Sequence, residues 1–233
     1  MNTHLSRVLS SVGYIAFIAM IALPLINVPH VPASEAIAAP MVTAHQVVEG
    51  KTGELIELIR SAQNYVDEDE ARFYDELEAL LEPFIDFRSF ARAVMGRHAS
   101  RSAMNALPAE QQDVLEGQID RFSDVFAKGL VQTYGKGLLA FEGERIEVVP
   151  AEQEDPTSSR AAVKQLIYGE RPKPFEVVYS LRRDGHGQWK LRNVIIENIN
   201  LGKVYRNQFA QQVKVYGGDI DRVISQWSVV PSS

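Results

Sequence analysis

The stretch QWKLRNVIIENINLGKVYRNQF, Gln188 to Phe209, holds two periodicities back to back. Trp189, Leu191 and the run Val194-Ile195-Ile196 suit a buried pleated surface. Glu197-Asn198-Ile199-Asn200 then turns the chain, and asparagine is at home in such a turn. From Leu201 the spacing becomes helical, with Leu201, Val204, Tyr205 and Phe209 on one face. A strand that hands over to a closing helix predicts a fold with an inside.

Working outward, period-two stretches precede this segment. Arg145 to Val149, Arg160 to Tyr168, Phe175 to Arg182 and Gln188 to Ile196 are four strand candidates, the last three joined through Gly169 to Pro174 and Asp184 to Gly187 as hairpin loops. Upstream the pattern is helical, apart from Arg97 to Ala106, which reads as a polar loop. Leu115, Ile119, Phe122, Phe126, Leu130, Tyr134 and Leu138 recur every three or four residues along a long helix opened by Leu107-Pro108. Asp86 and Gly96 bracket a short helix from Phe87 to Met95. Phe73 to Leu81 follows the acidic run Asp67 to Glu70, which suits a helix N-terminus. Pro40 to Asn64 reads as one amphipathic helix or two, weakened by Gly50 and Gly53. Downstream, a helix from Leu201 to Tyr216 is followed by an amphipathic piece with Ile220, Val223, Ile224 and Trp227. Helices first and sheet second predict an α+β fold, a helical layer packed on a four-stranded antiparallel sheet.

A net charge of -6 argues against a nucleic-acid partner. The absence of cysteine removes disulfides, thiolate catalysis and Cys-ligated zinc. At the N-terminus Arg7 precedes an apolar run from Val12 to Ile26, and Ala36-Ile37-Ala38 has the small-x-small pattern of a cleavage site. Residues 1–38 are therefore expected to be a signal peptide and 39–233 a single exported domain, soluble outside the cytoplasm; an uncleaved membrane anchor is the alternative.

Chemistry is sparse. No two histidines stand at helical metal spacing, and no nucleophile elbow occurs. Gly135-Lys136-Gly137 lacks the context of a phosphate loop and reads as close packing or a bend. Glu197, after three apolar residues, is a candidate general acid or base, or else a structural cap or ion-pair partner. Apolar stripes are abundant, and such stripes form a core unless something hollows them.

Several strings give the chain a resemblance. Asp86 to Gly96, DFRSFARAVMG, is similar to the FDF-x-x-MAR-x-VLG string of the MlaC family, periplasmic phospholipid carriers also called toluene-tolerance auxiliary proteins. Thr133-Tyr134 with Leu138 resembles that family's helix end. Trp189 to Glu197 resembles its WKVYDVVIEGVSL strand, and Tyr205-Arg206-Asn207-Gln208-Phe209 its YRSQF helix. The matches run in order from about Phe73 to Trp227. Asn193 replaces the family's Asp, and Asn198 and Asn200 replace its Gly and Ser, which keeps turn propensity.

The resemblance implies an NTF2-like shape enclosing an apolar pocket for acyl chains, and no catalysis. It implies a monomer shuttling phospholipid between an outer-membrane lipoprotein–porin complex and an inner-membrane ABC transporter bearing an MCE-domain protein, so maintaining outer-membrane lipid asymmetry. No cofactor is implied. The residues expected around the pocket are Phe87, Val94, Phe126, Leu130, Tyr134, Leu138, Val177, Tyr179, Val194, Ile196, Ile199 and Tyr205. Arg92, Lys203 and Arg206 are cations for its mouth or simply surface charge, and Gly135 and Gly137 are hinge candidates. A periplasmic enzyme using Glu197 and a ligand-free scaffold are the competing readings.

Overall fold

The computed structural model describes residues 42–139, 145–150, 155, 157–169 and 172–229. The expected signal segment, residues 1–38, lies outside them.

The first four α-helices each start where a side chain satisfies an N–H that the helix itself leaves unpaired. α1 (Ala44–Ala62) opens on a capping box: Thr43 Oγ1 accepts from the Gln46 N–H at 3.1 Å, and Gln46 Oε1 accepts from the Thr43 N–H at 3.0 Å. Gly50 and Gly53 do not split it. Asp69 caps α2 (Glu70–Leu81), Asp86 caps α3 (Phe87–Met95), and Ser100 caps the short α4 (Arg101–Asn105). α5 (Ala109–Leu139) is the long helix and begins just after Pro108.

β1 (Ile146–Val148), β2 (Arg160–Ile167), β3 (Phe175–Arg183), β4 (Trp189–Ile196) and β5 (Ile199–Asn200) follow one another across an antiparallel sheet in chain order. The sheet thus has five strands where the sequence predicts four. The extra strand comes from the turn. Glu197 and Asn198 both have positive φ, 49° and 67°, as the centre of a two-residue hairpin demands. The chain therefore reverses at once and pairs Ile199 with Ile196 before leaving the sheet.

Asn200 then caps α6 (Leu201–Val215), accepting from the Lys203 N–H at 3.0 Å. Asn193 Oδ1 accepts from the Gly202 N–H at 2.9 Å, and a Cβ on residue 202 would stand 2.7 Å from that oxygen. Only glycine lets helix and strand approach so closely. α7 (Ile220–Ser225) starts at Asp219.

The apolar residues collect into distinct bodies. α3, α5, α6 and α7 bury Phe90, Phe122, Phe126, Tyr205, Phe209 and Trp227 together. A second body lies between α1 and the sheet, around Val48, Phe84, Val163, Leu181, Trp189 and Leu191. A third joins the end of α1 to α2 and α5 through Phe73, Leu77 and Val131.

Candidate functional site

Between α1 and the sheet there is a cavity of about 190 Å³. From α1 it is lined by Val48, Thr52, Leu55, Ile56 and Ile59, which recur at helical spacing on one face. Leu81, Phe84 and Ile85 close one side, and Leu138, near the end of α5, reaches it too. The floor is Ile146, Gln165, Ile167, Tyr179 and Leu191. Register explains that floor: Ile146 pairs with Ile167 and Val163 with Tyr179, so alternation brings these side chains to one face. Lys51 stands among the walls, its ammonium paired with Glu54 at 2.6 Å.

Among the described residues, three side-chain hydrogen bonds tie α1 and Val42, just before it, to the sheet. Trp189 Nε1 donates to the Val42 carbonyl at 3.2 Å, and His45 Nε2 lies 3.3 Å from the Val148 carbonyl. Deeper in, Gln165 Nε2 donates to Thr52 Oγ1 at 2.7 Å. Tyr179 O–H donates to Gln165 Oε1 at 2.7 Å, and burial pushes this phenol up to about 12. Gln165 is only 3% exposed, a buried amide in a mostly apolar wall. Sequence reasoning passed over it, although its parity with Val163 and Ile167 places it on the inner face.

Of the residues expected around a pocket, Leu138 and Tyr179 line this cavity. Val194 is half-buried and packs against both the helical and the sheet-side bodies. Val177 is buried on β3, and Ile196, on β4, packs towards the helical bundle. Phe87 is buried on α3. Val94, Phe126 and Tyr205 are fully enclosed in the bundle, with Leu130 and Tyr134 against them. The Tyr134 and Tyr205 hydroxyls are 2.7 Å apart. Ile199 is 38% exposed on the edge strand. The expectation lacked the α1 face, Leu81, Phe84 and Ile85 beside it, and the floor residues other than Tyr179, Gln165 among them.

Two of the cations expected at the mouth or as surface charge bind backbone carbonyls. Arg206 Nε donates to the Ala93 carbonyl at 2.8 Å, and an Arg92 guanidinium nitrogen to the Ala99 carbonyl at 3.3 Å. α5 runs unbroken through Gly135, where a Cβ would meet the Tyr74 ring at 2.9 Å. That glycine serves close packing on α2 rather than a bend. Glu197 is not among the cavity walls: its Oε1 accepts from the Glu176 N–H at 2.7 Å, fastening the start of β3 to the hairpin. Among the described residues no group of three or more His, Cys, Asp or Glu could hold a metal.

Helices over one face of an antiparallel meander, with a hydrocarbon-lined void under the first helix, define an α+β domain built around an apolar cavity. The chain belongs to the MlaC family: the family model described as MlaC protein matches residues 49–229. It is 33% identical over 186 residues to the toluene tolerance protein ttg2D of Pseudomonas putida, covering 80% of each chain. Its fold is similar to that of a phospholipid-binding protein from Ralstonia solanacearum solved in complex with a phospholipid. That match has a TM-score of 0.59 at 18% identity and covers 79% of this chain and 94% of the other.

Proposed function

We propose that this protein is an exported, soluble carrier of phospholipid that sheaths acyl chains between α1 and the sheet, within an NTF2-like shape. The observation that carries the reading is the hydrocarbon lining of the cavity under α1. Each methylene hidden from water is worth about 0.8 kcal/mol, so two chains of ~15 methylenes represent on the order of 24 kcal/mol. Unassisted passage through water is correspondingly slow, and a carrier removes that cost. In this reading the lipid moves, by way of the monomeric carrier, between an outer-membrane lipoprotein–porin complex and an inner-membrane MCE-domain ABC transporter, which maintains lipid asymmetry.

The cavity of about 190 Å³ is smaller than the roughly 300–1,000 Å³ of pockets that engulf drug-sized ligands. Loading therefore requires α1 and the sheet to part. Towards the sheet the helix is held by hydrogen bonds at Val42, His45 and Thr52 and by aliphatic contacts, which makes it the movable wall.

Native mass spectrometry of the protein purified under mild conditions, followed by organic extraction, tests the reading. A co-purifying mass identified as phospholipid is expected. Protein that carries no lipid, and takes none up from vesicles, leaves the scaffold reading in its place.

A further inference from the structure

A sheath for hydrocarbon needs no polar group in its wall, yet this one keeps a directed hydrogen-bond chain. Thr52 gives its single hydroxyl proton to the Val48 carbonyl at 2.8 Å. Towards Gln165 it can therefore only accept, which fixes the amide nitrogen as the group facing α1. Tyr179 holds the amide oxygen from the other side. Gln165 and Tyr179 stand on adjacent strands, diagonal across the register pairs Gln165–Val177 and Val163–Tyr179. They move as one piece with the sheet, whereas Thr52 belongs to the helix.

When α1 lifts to admit acyl chains, Thr52 leaves. The amide nitrogen is then a donor in hydrocarbon surroundings with nothing to bond, and a buried donor left unmade is costly. A bare tail supplies no acceptor. The ester carbonyl at the head of an acyl chain supplies a strong one that projects from the chain. An ether oxygen, in line with the chain and flanked by methylenes, is a poorer substitute.

We propose that Gln165 is the specificity-determining residue of the cavity, reading the ester carbonyl of an acyl-chain lipid, and that Thr52 stands in for that carbonyl when the cavity is empty. Tyr179 is a positioning residue that aims the amide. This rests on the carrier reading above and adds the part of the ligand that is recognised.

The test is competition for the delipidated mature protein between a diacyl phosphatidylglycerol and its dialkyl ether counterpart of matched chain length, presented in vesicles and read by native mass spectrometry. The expected result is a preference for the diacyl lipid of about tenfold or more, tenfold being about 1.4 kcal/mol. Gln165→Met, close in size, should bind both lipids with a ratio near one. Thr52→Val should keep the preference while loading both lipids more readily, since the empty state loses its bond. Should Gln165→Met fail to fold, Tyr179→Phe takes its place and should shrink the preference. Equal uptake of the two lipids by the unaltered protein, or an unchanged ratio in the substituted proteins, overturns the ester reading alone. Uptake of neither lipid overturns the carrier reading and this inference with it.

Discussion

The bundle of α3, α5, α6 and α7 and the space under α1 are both walled by apolar side chains, but they are filled differently. In the bundle, rings interlock. Phe122 lies 5.0 Å from both Phe209 and Trp227, centroid to centroid, and Phe126 lies 5.2 Å from Phe90 and 5.3 Å from Tyr205. Edge-to-face contacts of this kind fill space and add to the energy of burial. α1 has no aromatic residue at all. It offers Val48, Leu55, Ile56 and Ile59 to the sheet, and short aliphatic side chains leave a void between backbones held apart by the Thr52–Gln165–Tyr179 chain. A hydrophobic stripe thus does not say whether its interior is solid; the size of the side chains that meet across it does.

The sharpest way to break this contrast is to empty the solid side. Phe122→Ala removes a ring that is 0% exposed and touches Phe126, Phe209 and Trp227. It should cost about 3–5 kcal/mol, read as a lower urea midpoint. Co-purified lipid per folded molecule should be unchanged, because this ring is not among the cavity walls. A loss of lipid from protein that remains folded would mean that the bundle, not the space under α1, holds the ligand.

Filling the hollow side should act in the opposite direction. Ile56→Phe puts an aromatic ring on the α1 face that lacks one, and cavity-filling substitutions commonly gain about 0.5–2 kcal/mol. The lipid-free protein should therefore unfold at a higher urea concentration while taking up less lipid from vesicles. Gain in stability coupled to loss of occupancy is the signature of a void kept open for a ligand. A gain with no loss would mean that the void is incidental.

Much of the fold was legible because its signals are local. The period-two stretches around Val163, Tyr179 and Leu191 fixed three strands, and Asp86, Gly96 and the stripe from Leu115 to Leu138 fixed two helices. β5 was not legible: a glutamate at positive φ is uncommon outside a demanding turn, and nothing in Glu197-Asn198 announces that both residues adopt it. The pocket expected from the family resemblance drew on α3, α5, the sheet and α6, but most of α5 packs into the ring bundle and only its Leu138 reaches the cavity. α1 carries a fainter stripe, weakened by Gly50 and Gly53 and holding the polar Thr52 within it. Parity and helical spacing together would have put Thr52 and Gln165 on facing surfaces. No local rule says that an amide inside an apolar wall matters more than the rings around it.

The smallest effect separates the two interiors by their tyrosines. Burial pushes Tyr205 well above its ordinary value, helped by the hydrogen bond with Tyr134, and burial alone pushes Tyr179 up to about 12. Both stay protonated in the folded chain while the unfolded chain ionises near the reference value of about 10. The unfolded state then binds fewer protons, so stability is intact below pH ~10 and falls as pH rises through the window above it. Each such tyrosine contributes a slope of about 1.4 kcal/mol per pH unit there. Tyr205→Phe should cost about 1 kcal/mol at neutral pH by stranding the Tyr134 hydroxyl, and should make the alkaline decline shallower by one tyrosine. Tyr179→Phe should remove a similar slope from the empty protein. Urea titrations from about pH 10, the unfolded value, up to about 12, the folded value of Tyr179, read both variants against the unaltered chain. An alkaline slope that Tyr205→Phe leaves untouched would show that water reaches the ring bundle, and the distinction between a solid interior and a hollow one would fail at its solid end.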